Sequence, residues 1–421
     1  MSRFLFVVPP LVGHVNPAAG VAAELARRGH TVAWAGVPGL ITHLAGPDSE
    51  IHPCATPSRT PERAPDLRGP GALKFLWQDF LIPLAEAMAP GVALACRRFR
   101  PDVVVADQQA LAGALVAERL GLPWATSATT SAELTGALDD LPLVAAWVRD
   151  LLAGLRGRIG APPTATDPRF SPYLVLAFTT PDLTGPVTAG SGPVHFVGPS
   201  VAPRPTAPAF PWHWLDQDRA TVLVTLGTAN ADTGAAFLTA CRQALRARAT
   251  TLQGVIVDPA GGLPAEPPDP DLLSLPAVPQ LDLLPHTAAV VCHAGHNTVC
   301  EALWHGVPLV VAPIRDDQPV IAHQVAAAGA GVRIRFGRTD PARLGEAVDT
   351  VLGDPAHRAA ARRIGDSFRA AGGAAAAAGR LEALAAAHHP PDTATPAEPR
   401  STAERKPPAE PKSTAEPKES R

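Results

Sequence analysis

Residues 291–301 read Val291-Cys292-His293-Ala294-Gly295-His296-Asn297-Thr298-Val299-Cys300-Glu301. A buried apolar strand runs into a turn of small residues and then into a short helix that ends before Gly306. Strand, turn and helix in that order make up the repeating unit of a parallel α/β sheet. Backbone N–H groups at the helix start, with the helix dipole behind them, favour a phosphate. His293, Asn297 and Thr298 add donors at the same spot, and Glu301, one turn on, suits ribose hydroxyls. The same residues also suit an ordinary strand–turn–helix with polar caps, and on their own they leave both readings open. His293 and His296, three apart on a turn with only Cys292 and Cys300 nearby, are poor ligand geometry, so no metal is expected.

Outward from this unit, apolar runs near 222–226, 254–257, 290–292, 309–312 and 331–334 predict further strands separated by helices. Asp316-Asp317-Gln318 follows the run at 309–312 and supplies acceptors for sugar hydroxyls, or a polar cap before Pro319. Upstream, Pro199, Pro203, Pro205, Pro208 and Pro211 break every period and mark a linker over 199–220;. Before it lies another alternating series, with strands predicted at 4–8, 32–35, 103–106, 174–178 and 195–197. Helices are expected at 17–28 (Asn16 as N-cap, Pro17 in the first turn, Gly29 past the end), at 84–98 with a break at Pro90-Gly91, and at 110–119;. The chain thus divides into an α/β domain over 1–198, the linker, a second α/β domain over 221–388, and a tail over 389–421. Residues 390–421 hold eight prolines and no apolar side chain larger than Ala, too little apolar area to offset ordering, so the tail is expected to be disordered. A ligand belongs in the cleft at the carboxyl ends of the strands.

Gly13-His14-Val15-Asn16-Pro17 follows the first strand. Gly13 permits a tight turn, and His14 then stands at the sheet edge, where a neutral imidazole can accept a proton near pH 7. Asp107 ends the strand at 103–106 and would reach the same edge, able to orient the ring and stabilise the imidazolium. A structural turn histidine and a helix-capping aspartate are the competing roles.

Composition removes several classes. Lys+Arg 36 against Asp+Glu 39 gives a net charge of −3, with no bias towards nucleic acid or an anionic membrane. The 421 residues are 46% hydrophobic, enough for two sizeable cores. Five cysteines without a C-x-x-C pair fit a reducing compartment and no disulfide framework. The apolar run at 4–8 is too short for a signal peptide, and no apolar stretch is expected to reach the ~18 residues of a membrane span, so a cytoplasmic protein is expected. A G-x-G-x-x-G turn is missing between Gly13 and Gly20, no Walker loop occurs, and the D-x-D pairs Asp216/Asp218 and Asp269/Asp271 sit in Pro-rich segments away from strand ends;.

Over residues 1–385 the chain resembles the GT-B nucleotide-sugar glycosyltransferases of family 1. The likeness is to the bacterial macrolide and natural-product group related to plant UDP-glycosyltransferases. The plant signature begins Trp-x-Pro-Gln, passes through His-x-Gly-x-Asn-Ser/Thr to a Glu, and ends in Asp-Gln. Here it reads Ala277-Val278-Pro279-Gln280, His293-Ala294-Gly295-His296-Asn297-Thr298, Glu301 and Asp317-Gln318. The resemblance implies two facing Rossmann-like domains, acceptor-binding then donor-binding, with the last helix crossing back to the first domain. It implies that His293, Gly295, His296, Asn297 and Thr298 hold the diphosphate, Asp317 and Gln318 the sugar, Gln280 the base or ribose, and Glu301 the ribose. Gly227-Thr228 would approach the phosphates from the other side, and His14 and Asp107 would be the catalytic base and its partner. Trp77, Phe80, Trp124 and Trp147 are candidates for the acceptor pocket, and each is equally explicable as core. Ala277-Val278 and His296 stand where the plant enzymes carry aromatics, which leaves uridine and thymidine open as donor base. Asp317-Gln318 favours glucose.

The implied reaction is an inverting, metal-independent transfer of a hexose from a UDP- or TDP-sugar to a hydroxyl of a hydrophobic secondary metabolite. No cofactor beyond the nucleotide-sugar co-substrate is expected, and the protein would be a monomer or homodimer. A catalytically silent nucleotide-sugar binder and a GT-B-type UDP-sugar epimerase are the alternatives.

Overall fold

The structure, a computed structural model, describes residues 1–58, 63–64, 67–136, 141–164, 166–187, 192–227, 234–264, 267 and 269–388. Thr228 and the tail 389–421 lie outside the described residues. The first half runs β1 (Arg3–Val7), α1 (Val12–Arg27), β2 (Thr31–Gly36), α2 (Pro38–Ala45), β3 (Glu50–Pro53), α3 (Gly69–Lys74), α4 (Ile82–Phe99), β4 (Val103–Asp107), α5 (Leu111–Leu120), β5 (Trp124–Ala128), α6 (Pro142–Ile159), β6 (Val175–Ala177), α7 (Pro181–Thr184) and β7 (Val194–Phe196). The second runs β8 (Ala220–Thr225), α8 (Ala235–Arg246), β9 (Leu252–Val257), β10 (Leu272–Leu275), α9 (Gln280–Leu283), β11 (Ala289–Cys292), α10 (His296–Trp304), β12 (Leu309–Val311), α11 (Gln318–Ala327), β13 (Gly331–Arg333), α12 (Pro341–Gly353), α13 (Pro355–Ala371) and α14 (Gly373–His388).

Two parallel sheets result, ordered β3-β2-β1-β4-β5-β6-β7 and β10-β9-β8-β11-β12-β13. Strands such as β4 (VVVAD) and β11 (AVVC) are buried along their whole length, as helices on both faces of a parallel sheet require;. Leu5 and Val7 face the core shared with α4 and α5, while Phe4 and Phe6 face the core shared with α1 and α14. α14 therefore docks on the first sheet's side, where Arg28 and His30 both bond Glu382 at 2.8 and 2.9 Å. In each sheet the strand order reverses at one point, between β1 and β4 and between β8 and β11. Such switch points open a crevice at the carboxyl ends of the strands.

The structure corrects several expectations. α1 begins at Val12, so Gly13 and His14 lie in its first turn, Leu11 takes the N-cap position and Pro17 sits inside the helix. α4 runs unbroken through Pro90-Gly91. Gly91 serves close packing there, because a Cβ would stand 3.0 Å from the Pro53 carbonyl oxygen. Strands β3, β5 and β10 were not foreseen; β5 carries the polar Thr126 and Ser127 inside the sheet. The helical run Gly69–Phe99 is long and apolar enough by composition to cross a membrane, against the expectation that no stretch is. Its Trp77, Leu81, Leu84, Met88 and Val92 are instead packed in the first core. All five cysteines are buried and free.

Candidate active site

Parallel register fixes the first cluster. Val7 of β1 lies beside Ala106 of β4, and Asp107 beside Ser127 of β5, so residues just past these strands meet at the switch point. His14 Nδ1 lies 2.9 Å from Asp107 Oδ1. Thr129 completes the cluster: its hydroxyl donates to Asp107 Oδ2 at 2.8 Å and lies 2.7 Å from His14 Nδ1. Asp107 Oδ1 also accepts from the Gln109 N–H at 2.8 Å, which closes a turn ahead of α5; the N-cap position of that helix is Ala110, without a side-chain bond, so Asp107 is the histidine's partner and not a helix cap. Its side chain is fully buried, whereas that of His14 keeps 14% exposure, and His14 Nε2 has no hydrogen-bond partner among the described residues. Burial pushes the imidazole's pKa down. The charge and hydrogen bond of Asp107, joined by the charges of Asp317 and Glu133, outweigh it and hold His14 above its ordinary 6.5;.

The second crevice is built the same way. Cys292 of β11 pairs with Thr225 of β8, which brings Gly227 beside His293. A Cβ on Gly227 would stand 2.7 Å from His293 Cε1, and one on Gly295 would stand 2.3 Å from its Nε2; the ring fits only because both neighbours are glycine. Gly227 has φ +68 and Ala294 φ +65, and a non-glycine residue in that region stores strain in the turn. Burial pushes His293 down to about 4, the Thr225 backbone opposing and Arg315 adding to the fall, so the ring is neutral. Its Nδ1 is buried with no hydrogen-bond partner among the described residues, an orphan of the kind a ligand satisfies. Gly295 caps α10 without any side-chain bond, leaving first-turn N–H groups and the dipole for an anion.

The two crevices face each other. Asn297 Nδ2 donates to the Gly13 carbonyl oxygen at 2.7 Å. The Thr130 hydroxyl donates to Asp317 Oδ2 at 2.6 Å, and the Ser131 hydroxyl to Gln324 Oε1 at 2.7 Å. Arg63 pairs with both oxygens of Asp316, a residue at φ +58. Asp317 is pushed up by burial, against the Thr130 bond.

Several expected roles change. His296 is buried against the Phe178 carbonyl oxygen at 3.3 Å, with Ser131 and Cys300 around it. It packs the two halves together, and burial pushes its pKa down to about 4. Gln318 Oε1 accepts from the Ile314 and Arg315 N–H groups, which leaves only its amide nitrogen for a ligand. Gln280 donates to Glu301 Oε2 at 2.6 Å, and Arg204 of the linker holds Oε1 at 2.5 Å, so both oxygens of Glu301 are engaged by protein. Burial pushes Glu301 up, while Arg204 and Gln280 pull it down. Thr298 is half-buried in the first turn of α10. Of the acceptor candidates, Trp124 is a buried core residue of β5, and Trp77 is buried with the Arg169 guanidinium 5.3 Å over its ring. Phe80 and Trp147 are half-buried against the same core. Residues 129–131 and Arg204 were missed. The run Thr129-Thr130-Ser131 follows a strand the sequence did not reveal, and Arg204 sits in a linker with no pattern to mark it.

Comparisons with known proteins give one consistent picture. Residues 262–384 match the family described as erythromycin biosynthesis protein CIII-like, C-terminal domain. The 4'-demethylrebeccamycin synthase of Lentzea aerocolonigenes is 30% identical over 88% of this chain and 96% of its own. The demethyllactenocin mycarosyltransferase of Streptomyces fradiae is 29% identical over 91% and 87%. Among solved structures, the calicheamicin glycosyltransferase superposes with a TM-score of 0.71 at 25% identity, over 91% of this chain and 98% of that one. A spinosyn rhamnosyltransferase complexed with thymidine diphosphate gives a TM-score of 0.69 at 23% identity, over 90% and 100%.

Proposed function

This chain belongs to the GT-B natural-product glycosyltransferases of family 1, and from that premise we propose that it moves a hexose from a TDP- or UDP-sugar to a hydroxyl of a hydrophobic natural-product acceptor, with inversion and with His14 as the base. The observation that carries the reading is the opposition of the two switch points. On one side His14 is oriented through Nδ1 by Asp107 and Thr129, and on the other stand the uncapped start of α10 and the orphaned Nδ1 of His293.

His14 Nε2 takes the acceptor's proton as its oxygen attacks the anomeric carbon; the anomeric bond to the diphosphate breaks, and the charge passes to the leaving group. Asp107 stabilises the imidazolium that forms. The α10 dipole and first-turn N–H groups meet the growing negative charge, and His293, neutral at working pH, donates to it when its single proton sits on Nδ1, and is not a cation. Asp317, placed by Thr130, faces the sugar. The bound thymidine diphosphate in the spinosyn enzyme's structure supports a TDP-sugar donor, and the mycarosyl transfer named for the Streptomyces fradiae relative supports a sugar other than glucose.

A panel of TDP- and UDP-sugars screened by thermal stabilisation, then incubated with polyketide and aromatic acceptors, tests this. A ligand that binds only the native state raises the midpoint. Stabilisation by one nucleotide sugar and a glycosylated product of opposite anomeric configuration are expected. Conversion of donor without acceptor would point to an epimerase, and retained configuration would overturn the mechanism.

A further inference from the structure

In an α-helix the N–H of residue 17 would serve the carbonyl of residue 13. Residue 17 is proline, inside α1, so that N–H does not exist and the ring crowds the Gly13 carbonyl away from the helix axis. Gly13 is exposed at the cleft, so its freed carbonyl is open to water or to a donor from the facing helix, with no burial penalty to force the choice. Across the cleft, Asn297, the second residue of α10, supplies what is missing: its Nδ2 lies 2.7 Å from Gly13 O. Only the amide nitrogen can face a carbonyl, so the donor is unambiguous.

We propose that Pro17 and Asn297 form a latch across the cleft, in which Pro17 withholds the helical hydrogen bond so that Asn297 can clasp the Gly13 carbonyl and thereby position His14. The Gly13 carbonyl and the His14 nitrogen belong to one planar peptide unit. Clamping the oxygen therefore fixes the plane from which the His14 side chain departs, and it ties that plane to the helix whose start faces the diphosphate. Asn297 and Pro17 are positioning residues here; Pro17 acts entirely through the backbone. The proposal rests on the reading of His14 as base for its effect on rate, but the latch itself does not.

Pro17→Ala is the discriminating variant. Alanine restores the N–H inside a helix it favours, so the protein is expected to keep or raise its Tm. Gly13 O is recaptured by α1, and kcat for transfer falls between about 2- and 10-fold, the range a single neutral hydrogen bond supports. Donor affinity by calorimetry stays at the wild-type level. In the Asn297→Ala background, which has already lost the clasp, Pro17→Ala changes kcat no further. A wild-type kcat in Pro17→Ala, or an equal loss in both backgrounds, would overturn the latch. A thermal cycle judges it independently of the base assignment: Asn297→Ala lowers Tm when residue 17 is Pro and less when it is Ala. Additive Tm shifts would refute the latch even if His14 proves to be the base, and non-additive shifts would sustain it even if His14→Ala turned over normally.

Discussion

Asp107→Asn keeps the shape of the side chain beside His14 and removes its charge. The lost interaction is a buried, charge-assisted contact at 2.9 Å on a carboxylate with no exposed side-chain surface. Bonds to charged groups contribute about 1.5–3 kcal/mol, and each ~1.4 kcal/mol is a decade of rate. A kcat about 10- to 150-fold below wild type is therefore expected, because the carboxylate matters most when the imidazolium forms. The pH dependence moves the other way. Burial favours neutral His14, and it is chiefly Asp107 that holds the ring above 6.5. Without that charge burial dominates, so the acid limb of kcat/KM, which reports loss of neutral His14, shifts to lower pH. Stability follows the same linkage. A raised histidine pKa stabilises the fold fully below 6.5 and ceases to as pH rises through the raised value. Asp107→Asn should then cost more stability at acid than at alkaline pH. The assays are initial-rate pH profiles with a proven donor and acceptor, and denaturant midpoints at both pH extremes. An acid limb that stays put or moves to higher pH, or an unchanged kcat, would show that Asp107 does not hold the His14 ring.

Other outcomes follow from the same geometry. Gly295→Ala drives a Cβ to 2.3 Å from His293 Nε2, so the ring must leave its slot; calorimetry should show donor binding lost, with overpacking costing about 1–3 kcal/mol of stability. Trp124→Ala empties a core site of the first sheet and should cost about 3–5 kcal/mol in urea denaturation, with acceptor KM unchanged in the folded fraction. Phe80→Ala, at a half-buried position, should raise acceptor KM and leave donor affinity alone. Leu381→Ala, in the helix that docks back onto the first sheet, should lower stability by about 2–5 kcal/mol as judged by thermal melting, although it lies in the last 50 residues of the chain.

The sequence revealed the parts of the fold whose strands are unbroken apolar runs, such as β4, β11 and β12, because strands buried on both faces need such runs;. It concealed β5, whose Thr126 and Ser127 look like a loop; Thr126 is kept in the sheet by its hydroxyl, which donates to the Arg169 carbonyl. With β5 hidden, the three hydroxyl residues after it had no address, so Thr129, Thr130 and Ser131 went unread although they touch Asp107, Asp317 and Gln324. Pro17 misled for a different reason. Its usual place is a helix's first turn, and it sits deeper here with its missing bond made good by Asn297 from the other half of the molecule, a contact no local pattern records. His14 with Asp107 was legible because strand ends in a parallel sheet converge, while the engagement of Glu301 by Arg204 depends on the path of a linker without any period.

The most direct measurement is transfer by His14→Ala alongside its donor binding. The variant is expected still to bind the nucleotide sugar and to gain thermal stability from it, while turnover falls by about 10²-fold or more, the usual contribution of a positioned base. Wild-type turnover by His14→Ala with a proven acceptor would contradict the role of His14 as the base.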